Sequence, residues 1–304
     1  MTRRIPNLCH FVFGLKEQTE PFHLVHYLCL ESCRQVLKPE RIVFYYRHMP
    51  YGPWWDLIRD RVELVRVEPV ALVEKYRYPQ RGIRKYAYAH HSDFIRLEKL
   101  LEVGGIYADI DTIFVNPVPT HLLEQPFVLG REPDIADQVT GTSKPSICNA
   151  FIMSEPNAEF GRHWLGEMPV AFDGSWSGHS TLLPHRLAAR YPDLVHVEPM
   201  RTFYKHPWTR QGLHTLLRGC DRDFDGVVSM HLWGHLWWSR RRRGFSDFHA
   251  GLLTESYVRG VDTTYNIVAR RFLPAPGTVA EPSAWGRCWS TLHQAGLAHL
   301  ERLS

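Results

Sequence analysis

The chain has 304 residues, 44% hydrophobic and 22% charged, which excludes a mostly disordered polypeptide and allows one large core. Its formal charge of +4, with 18 histidines uncounted, suits an anionic ligand and is too weak to indicate a nucleic-acid partner. The six cysteines form no Cys-x-x-Cys pair, so neither a zinc clip nor a disulfide framework is indicated, and a reducing cytoplasm is the simplest expectation.

The opening run MTRRIPNLCHFVFGL has too short an apolar stretch for a bilayer span and no small-residue cleavage site. No other segment reaches about 18 consecutive apolar residues, which argues against a transmembrane protein and leaves peripheral membrane contact open. Ile5 to Phe13 is apolar and β-rich and predicts a first strand. Pro21 to Leu37 has helical spacing, Arg41 to Tyr46 predicts a second strand, Trp54 to Asp60 a short helix, and Val62 to Val67 a third strand. Tyr86 to Val103 predicts a helix stopped by Gly104-Gly105, and Ile106 to Val115 a strand closed by Asn116-Pro117.

Farther on, Phe127 to Gly130 and Ala150 to Ser154 predict strands, Asn157 to Met168 and Ser180 to Tyr191 helices, and Val227 to Trp233 a late strand. Strands alternating with helices imply an α/β fold, a mostly parallel sheet flanked by helices, with ligands at the carboxyl ends of the strands. A single domain over residues 1–275 is expected, with a peripheral segment at 276–304 ending in a helix from Ser283 to Leu303.

The sharpest chemistry lies in HHSDFIRLEKLLEVGGIYADIDTIFVNPV, residues 90–118. Phe94, Leu97 and Leu101 form a core stripe, and Asp93 and Arg96 share a helix face. The strand that follows presents Tyr107, Asp109 and Asp111 at period two, so the three point the same way. Two carboxylates so placed can grip one hard divalent cation, Mn²⁺ or Mg²⁺, together with substrate phosphates. Taken singly, Asp-x-Asp occurs by chance, Asp93 with Arg96 is an ordinary surface pair, and Gly-Gly is only a helix stop. Their order within some twenty residues raises the functional reading, as does the expense of two unpaired carboxylates in an apolar strand.

This segment resembles the sugar-binding region of the DXD-containing glycosyltransferases, especially family 32, with more distant kinship to the clostridial glucosylating toxins. Ser92, Asp93, Arg96, Gly104, Gly105, Ile106, Tyr107, Asp109 and Asp111 match its pattern. Ile5-Pro6 and His10-Phe11 resemble its first strand, with Phe13 where an aromatic residue is common. His231 and Trp233 match a later His-x-Trp-Asn motif whose Asn is replaced here by Gly234. A buried aromatic strand end would also account for that last stretch.

The resemblance implies a GT-A-like, Rossmann-type fold and a metal-dependent, retaining transferase using a nucleotide-sugar donor, with UDP-sugars favoured. Asp93, Arg96 and Asp111 would be catalytic. His10, Phe11, Phe13, Asp93, Arg96, Tyr107, Asp109, Asn149 and Trp233 would bind the donor, and Asp109, Asp111 and His231 the metal. The acceptor would be a glycan, a small molecule or a protein. A toxin-like transferase acting on a protein side chain and a donor-binding protein that has lost catalysis are the rival readings. The segment Ser175 to Ser180, with His179, could line the sugar pocket or merely cap a helix. The run Arg240 to Arg243 could form an anion-attracting lid with Trp233 and Trp238, or a solvated edge.

Overall fold

The apolar runs assemble into a seven-stranded sheet in the computed structural model, which describes residues 3–18, 21–78, 84, 86–136, 143–234 and 253–279. The strands of this sheet are β1 (Leu8–Val12), β2 (Arg41–Tyr46), β3 (Glu63–Arg66), β4 (Gly105–Ala108), β6 (Phe127–Arg131), β9 (Ile147–Ser154) and β10 (His196–Glu198). They are ordered β10-β6-β9-β4-β1-β2-β3. Neighbours pair in parallel except around β9, which runs antiparallel to both β4 and β6. The chain lays β2 and β3 on one side of β1 and then crosses to place β4 on the other. A crevice forms at such a reversal, at the carboxyl ends of the strands.

Helices cover both faces. Leu24–Ser32 contributes Leu24, Val25, Leu28 and Leu30 to one apolar cluster with Phe11, Phe44 and Phe114. Ala87–Val103 contributes Phe94, Leu97 and Leu100 to a second, with Phe127, Phe160 and Trp164 from β6 and the Glu159–Ala171 helix. The expected helix from Pro21 to Leu37 is shorter and passes into a π-helical turn at Cys33–Leu37. The expected helix from Ser180 likewise starts as a π turn, Gly178–Leu182, before Leu183–Arg190.

One expectation is corrected. Residues 106–115 do not form a single strand: β4 stops at Ala108, and Thr112–Phe114 forms a separate strand, β5. The Asp109 amide still donates to the Ala150 carbonyl, at 2.9 Å, but the Thr112 amide turns back to the Asp109 carbonyl at 3.0 Å. That turn sends β5 off to pair antiparallel with β11 (Ser229–His231) in a two-stranded sheet of its own, as β7 (Ile135–Ala136) does with β8 (Ser143–Lys144). The helix expected at Ser283 to Leu303 lies outside the described residues.

Gly105 is required where it stands. Its φ is +119°, and a Cβ there would lie 2.7 Å from the Leu8 carbonyl oxygen and 2.8 Å from His10 Nε2. A second local solution occupies residues 221–226, whose Asp-x-Asp-x-Asp-Gly spacing is that of a calcium loop. Here the buried Lys205 ammonium pairs with Asp221 at 2.8 Å and donates to the Asp223 carbonyl. Arg201 pairs with the Asp223 carboxylate at 2.7 Å.

Candidate active site

A cavity of about 670 Å³ opens at the carboxyl edge of the sheet, within the size range of small-ligand sites. Its floor is the Asp109–Asp111 turn. Because the turn breaks the strand, the two carboxylates converge on His231 from β11 rather than pointing along one pleat. His231 Nε2 lies 2.9 Å from Asp111 Oδ1 and 3.7 Å from Asp109 Oδ2. One ligand atom from each of the three falls within 4.8 Å of the others. Two carboxylate oxygens and an imidazole nitrogen suit a divalent cation such as Mn²⁺ or Mg²⁺.

The three groups also hold one another electrostatically. Burial alone would depress the His231 pKa, but the charge and hydrogen bond of Asp111, with Asp109 and Glu132 nearby, hold it above its ordinary value. A protonated His231 spends Nε2 on Asp111, so a cation entering the trio must displace that proton. Burial pushes Asp109 upward, against the pull of Arg96 and His231. The Gly234 amide donates to Asp111 Oδ2 at 2.7 Å. Where the resembled motif has an Asn side chain, this chain therefore brings a main-chain donor to Asp111, which residue identity alone did not reveal.

A second cluster adjoins the first. Arg96 is 5% exposed, and its guanidinium lies 3.2 Å from Asp93 Oδ1 and 3.2 Å from Asp109 Oδ1. It also donates to the Asn149 carbonyl at 2.7 Å and packs 4.5 Å over the Tyr107 ring. The Tyr107 hydroxyl donates to Asp109 Oδ1 at 2.5 Å. Asp93 accepts from Asn149 Nδ2 at 2.8 Å and lies 2.9 Å from His179 Nε2. Burial would raise the Asp93 pKa, yet Arg96 and His179 hold it below the usual carboxylate value. Asp93 is therefore a fixed, ionised acceptor on the cavity wall.

Asp93, Arg96, Tyr107, Asp109, Asp111, Asn149, His231, Trp233 and Phe13 all line this one cavity. Phe13 meets His26 at 4.8 Å and Phe22 at 5.3 Å between ring centroids. Two expected donor-binding residues, His10 and Phe11, are fully buried and are not among its lining residues. His10 is instead held between the Gly104 carbonyl, at 2.8 Å, and the Tyr45 hydroxyl, at 3.1 Å, and Phe11 packs edge-on against Phe114. Their side chains point into the layers around the sheet rather than toward its carboxyl edge.

Trp233 reaches the cavity as scaffold. It is 2% exposed, in the left-handed region at φ +55°, and its indole donates to the His206 carbonyl at 3.0 Å. The segment expected to act as a lid, with Trp238 and Arg240 to Arg243, lies outside the described residues. Sequence reasoning passed over Glu132 and Trp208, which line the same cavity. A carboxylate one residue beyond a strand's carboxyl end was the available signal for Glu132. Trp208 sits in a loop with no periodicity to mark it.

Residues 29–128 match the family described as a glycosyltransferase sugar-binding region containing a DXD motif. The chain is 30% identical over 278 residues to Glucan organizing enzyme 1 of Cryptococcus neoformans var. grubii, covering 88% of this chain and 71% of that protein. The solved PaToxG glycosyltransferase is similar at a TM-score of 0.43 and 17% identity, over 62% of this chain and 70% of that one. With the DXD turn inside the matched region and the fungal relative aligned along most of both chains, this protein belongs to the DXD-motif glycosyltransferases.

Proposed function

We propose that this protein transfers a sugar from a nucleoside-diphosphate sugar, with UDP-sugars favoured, to a glycan acceptor, and that Mn²⁺ or Mg²⁺ is held by Asp109, Asp111 and His231. The observation that carries this reading is the convergence of that trio with the Asp93–Arg96 pair in one cavity. The cation would neutralise the diphosphate as the glycosidic bond breaks. Arg96 adds fixed positive charge beside Asp109, already in place before reaction. Asp93, kept ionised by Arg96 and His179, accepts from hydroxyls of the donor sugar. Phe13 and His26 offer ring faces for the base. The fungal relative is named for organising glucan, which favours a glycan acceptor over a protein side chain.

In the reaction, the acceptor oxygen bonds to the anomeric carbon while the bond from that carbon to phosphate oxygen breaks. The electron pair leaves with the nucleoside diphosphate, whose phosphate oxygen takes the acceptor's proton, and the anomeric configuration is retained. The test incubates the purified protein with UDP- and GDP-sugars and measures nucleoside diphosphate released. Chelation abolishes release and Mn²⁺ restores it. D109N and D111N each lower it by about a hundredfold or more, as expected when charge stabilisation of a leaving group is lost. Full turnover in a thoroughly chelated sample overturns the metal assignment.

A further inference from the structure

The lateral order of the sheet places a carboxylate that none of these roles uses. Along the carboxyl edge, the cavity is lined in turn by Phe13 after β1, Asp109 and Asp111 after β4, Asn149 from β9 and Glu132 after β6. Adjacent strands lie about 4.8 Å apart, so β1 and β6 are separated by roughly 14 Å. A nucleoside-diphosphate sugar laid with its base at Phe13 and its diphosphate at the metal trio directs its sugar toward Asp93 and Asn149. The next place along the edge is Glu132.

Glu132 is built into that position. Ser146, itself 1% exposed, donates its hydroxyl to Glu132 Oε1 at 2.7 Å and also to the Pro133 carbonyl, at 3.3 Å. Cys148 and Thr181 lie beside it on the same cavity wall. Among the described residues the charge that acts on it is that of His231. Burial pushes the Glu132 pKa upward against the pull of Ser146 and His231; its carboxyl oxygens accept hydrogen bonds in either state, and its charge, when ionised, repels a diphosphate. What it can take in a cavity shared with an anionic donor is the hydroxyl of a neutral, hydroxyl-rich molecule. Trp176, 37% exposed on the same cavity, stands two residues before the Gly178–Leu182 turn that carries Thr181 and offers an apolar ring to such a molecule.

We propose that Glu132, braced by Ser146, binds the acceptor: it takes a hydrogen bond from a non-reacting hydroxyl of a carbohydrate and sets the reacting hydroxyl toward the anomeric carbon. This rests on the transferase reading above. The test supplies the full chain with UDP- and GDP-sugars, Mn²⁺ and a panel of fluorescently labelled gluco- and manno-oligosaccharides. Sugar transferred to oligosaccharide and sugar released to water are measured separately. E132Q, which keeps the shape, and E132A should both lower the ratio of transfer to hydrolysis. The expected fall is about tenfold to a hundredfold, the size of one lost charge-assisted hydrogen bond, and it should appear mainly in the acceptor KM.

Binding of nucleoside diphosphate with Mn²⁺ verifies that each variant is folded. If E132Q lowers hydrolysis and transfer equally with the acceptor KM unmoved, Glu132 serves the donor and the inference fails. A parent protein that hydrolyses donor but glycosylates none of the oligosaccharides overturns the carbohydrate assignment alone. A parent that consumes no donor at all overturns the transferase reading together with it.

Discussion

At the scale of single residues, the site depends on charges held in place by neighbours. Asp93 is the clearest case, with Asn149 and Arg96 on one oxygen and His179 on the other. His179 is fully buried and stacks on Phe94, so it acts through Asp93 and touches no substrate in the proposed mechanism. H179F should raise the donor KM and lower turnover by about tenfold, as when a partner that orients a functional carboxylate is lost. H179Q should recover part of that loss, because an amide nitrogen can reach the same oxygen. Equal damage in both variants, accompanied by a lower melting temperature, would show that the ring matters only for packing. Asp93, Arg96, Tyr107, Asp109, Asp111 and His231 were legible because spacing and resemblance select them together. Glu132 was not, because its one mark, a place just past the end of β6, selects no chemistry until the fold sets it in the cavity.

At the scale of elements, strands and helices were read well wherever burial imposes a period. β2 falls at Arg41–Tyr46 as expected, and the long helix starts within one residue of Tyr86 and ends at Val103. The break at Asp109 was not legible: the period-two pattern of Tyr107, Asp109 and Asp111 is equally compatible with a strand and with a turn that gathers carboxylates. What decides is the competition between further pairing with β9 and the local bond from Thr112 back to Asp109. The Gly-Gly stop has a stricter reason than helix termination. G105A would force a side chain into left-handed backbone and against Leu8 and His10, and should destabilise the protein by about 2–4 kcal/mol. Chemical denaturation checks this, and a loss below about 0.5 kcal/mol would mean that β1 and β4 can part without strain.

At the scale of the whole molecule, the α/β order was legible from alternation alone, whereas the reversed β9 and the small β5–β11 sheet were not, since both depend on pairing between segments distant in sequence. The molecule also stores acid sensitivity. Burial lowers the pKa values of His10, His90, His91 and His206, that of His90 to about 4. Unfolded histidines titrate near 6.5, so the unfolded chain binds more protons below that value and stability falls as pH drops from about 6.5 toward 4. His90 alone should contribute about 1–2 kcal/mol of that loss at pH 5. Thermal melts across this range should show the decline, and H90N, which keeps a partner for the Tyr78 hydroxyl, should flatten it. An unchanged slope in H90N would place the sensitivity elsewhere. Lys205 bears on how such a protein responds to its ionic surroundings. By seating its own ammonium in the Asp221–Asp225 loop, the chain carries a built-in positive charge where a calcium loop carries its ion, so the loop's acidic side chains are matched by lysine and arginine of the same chain.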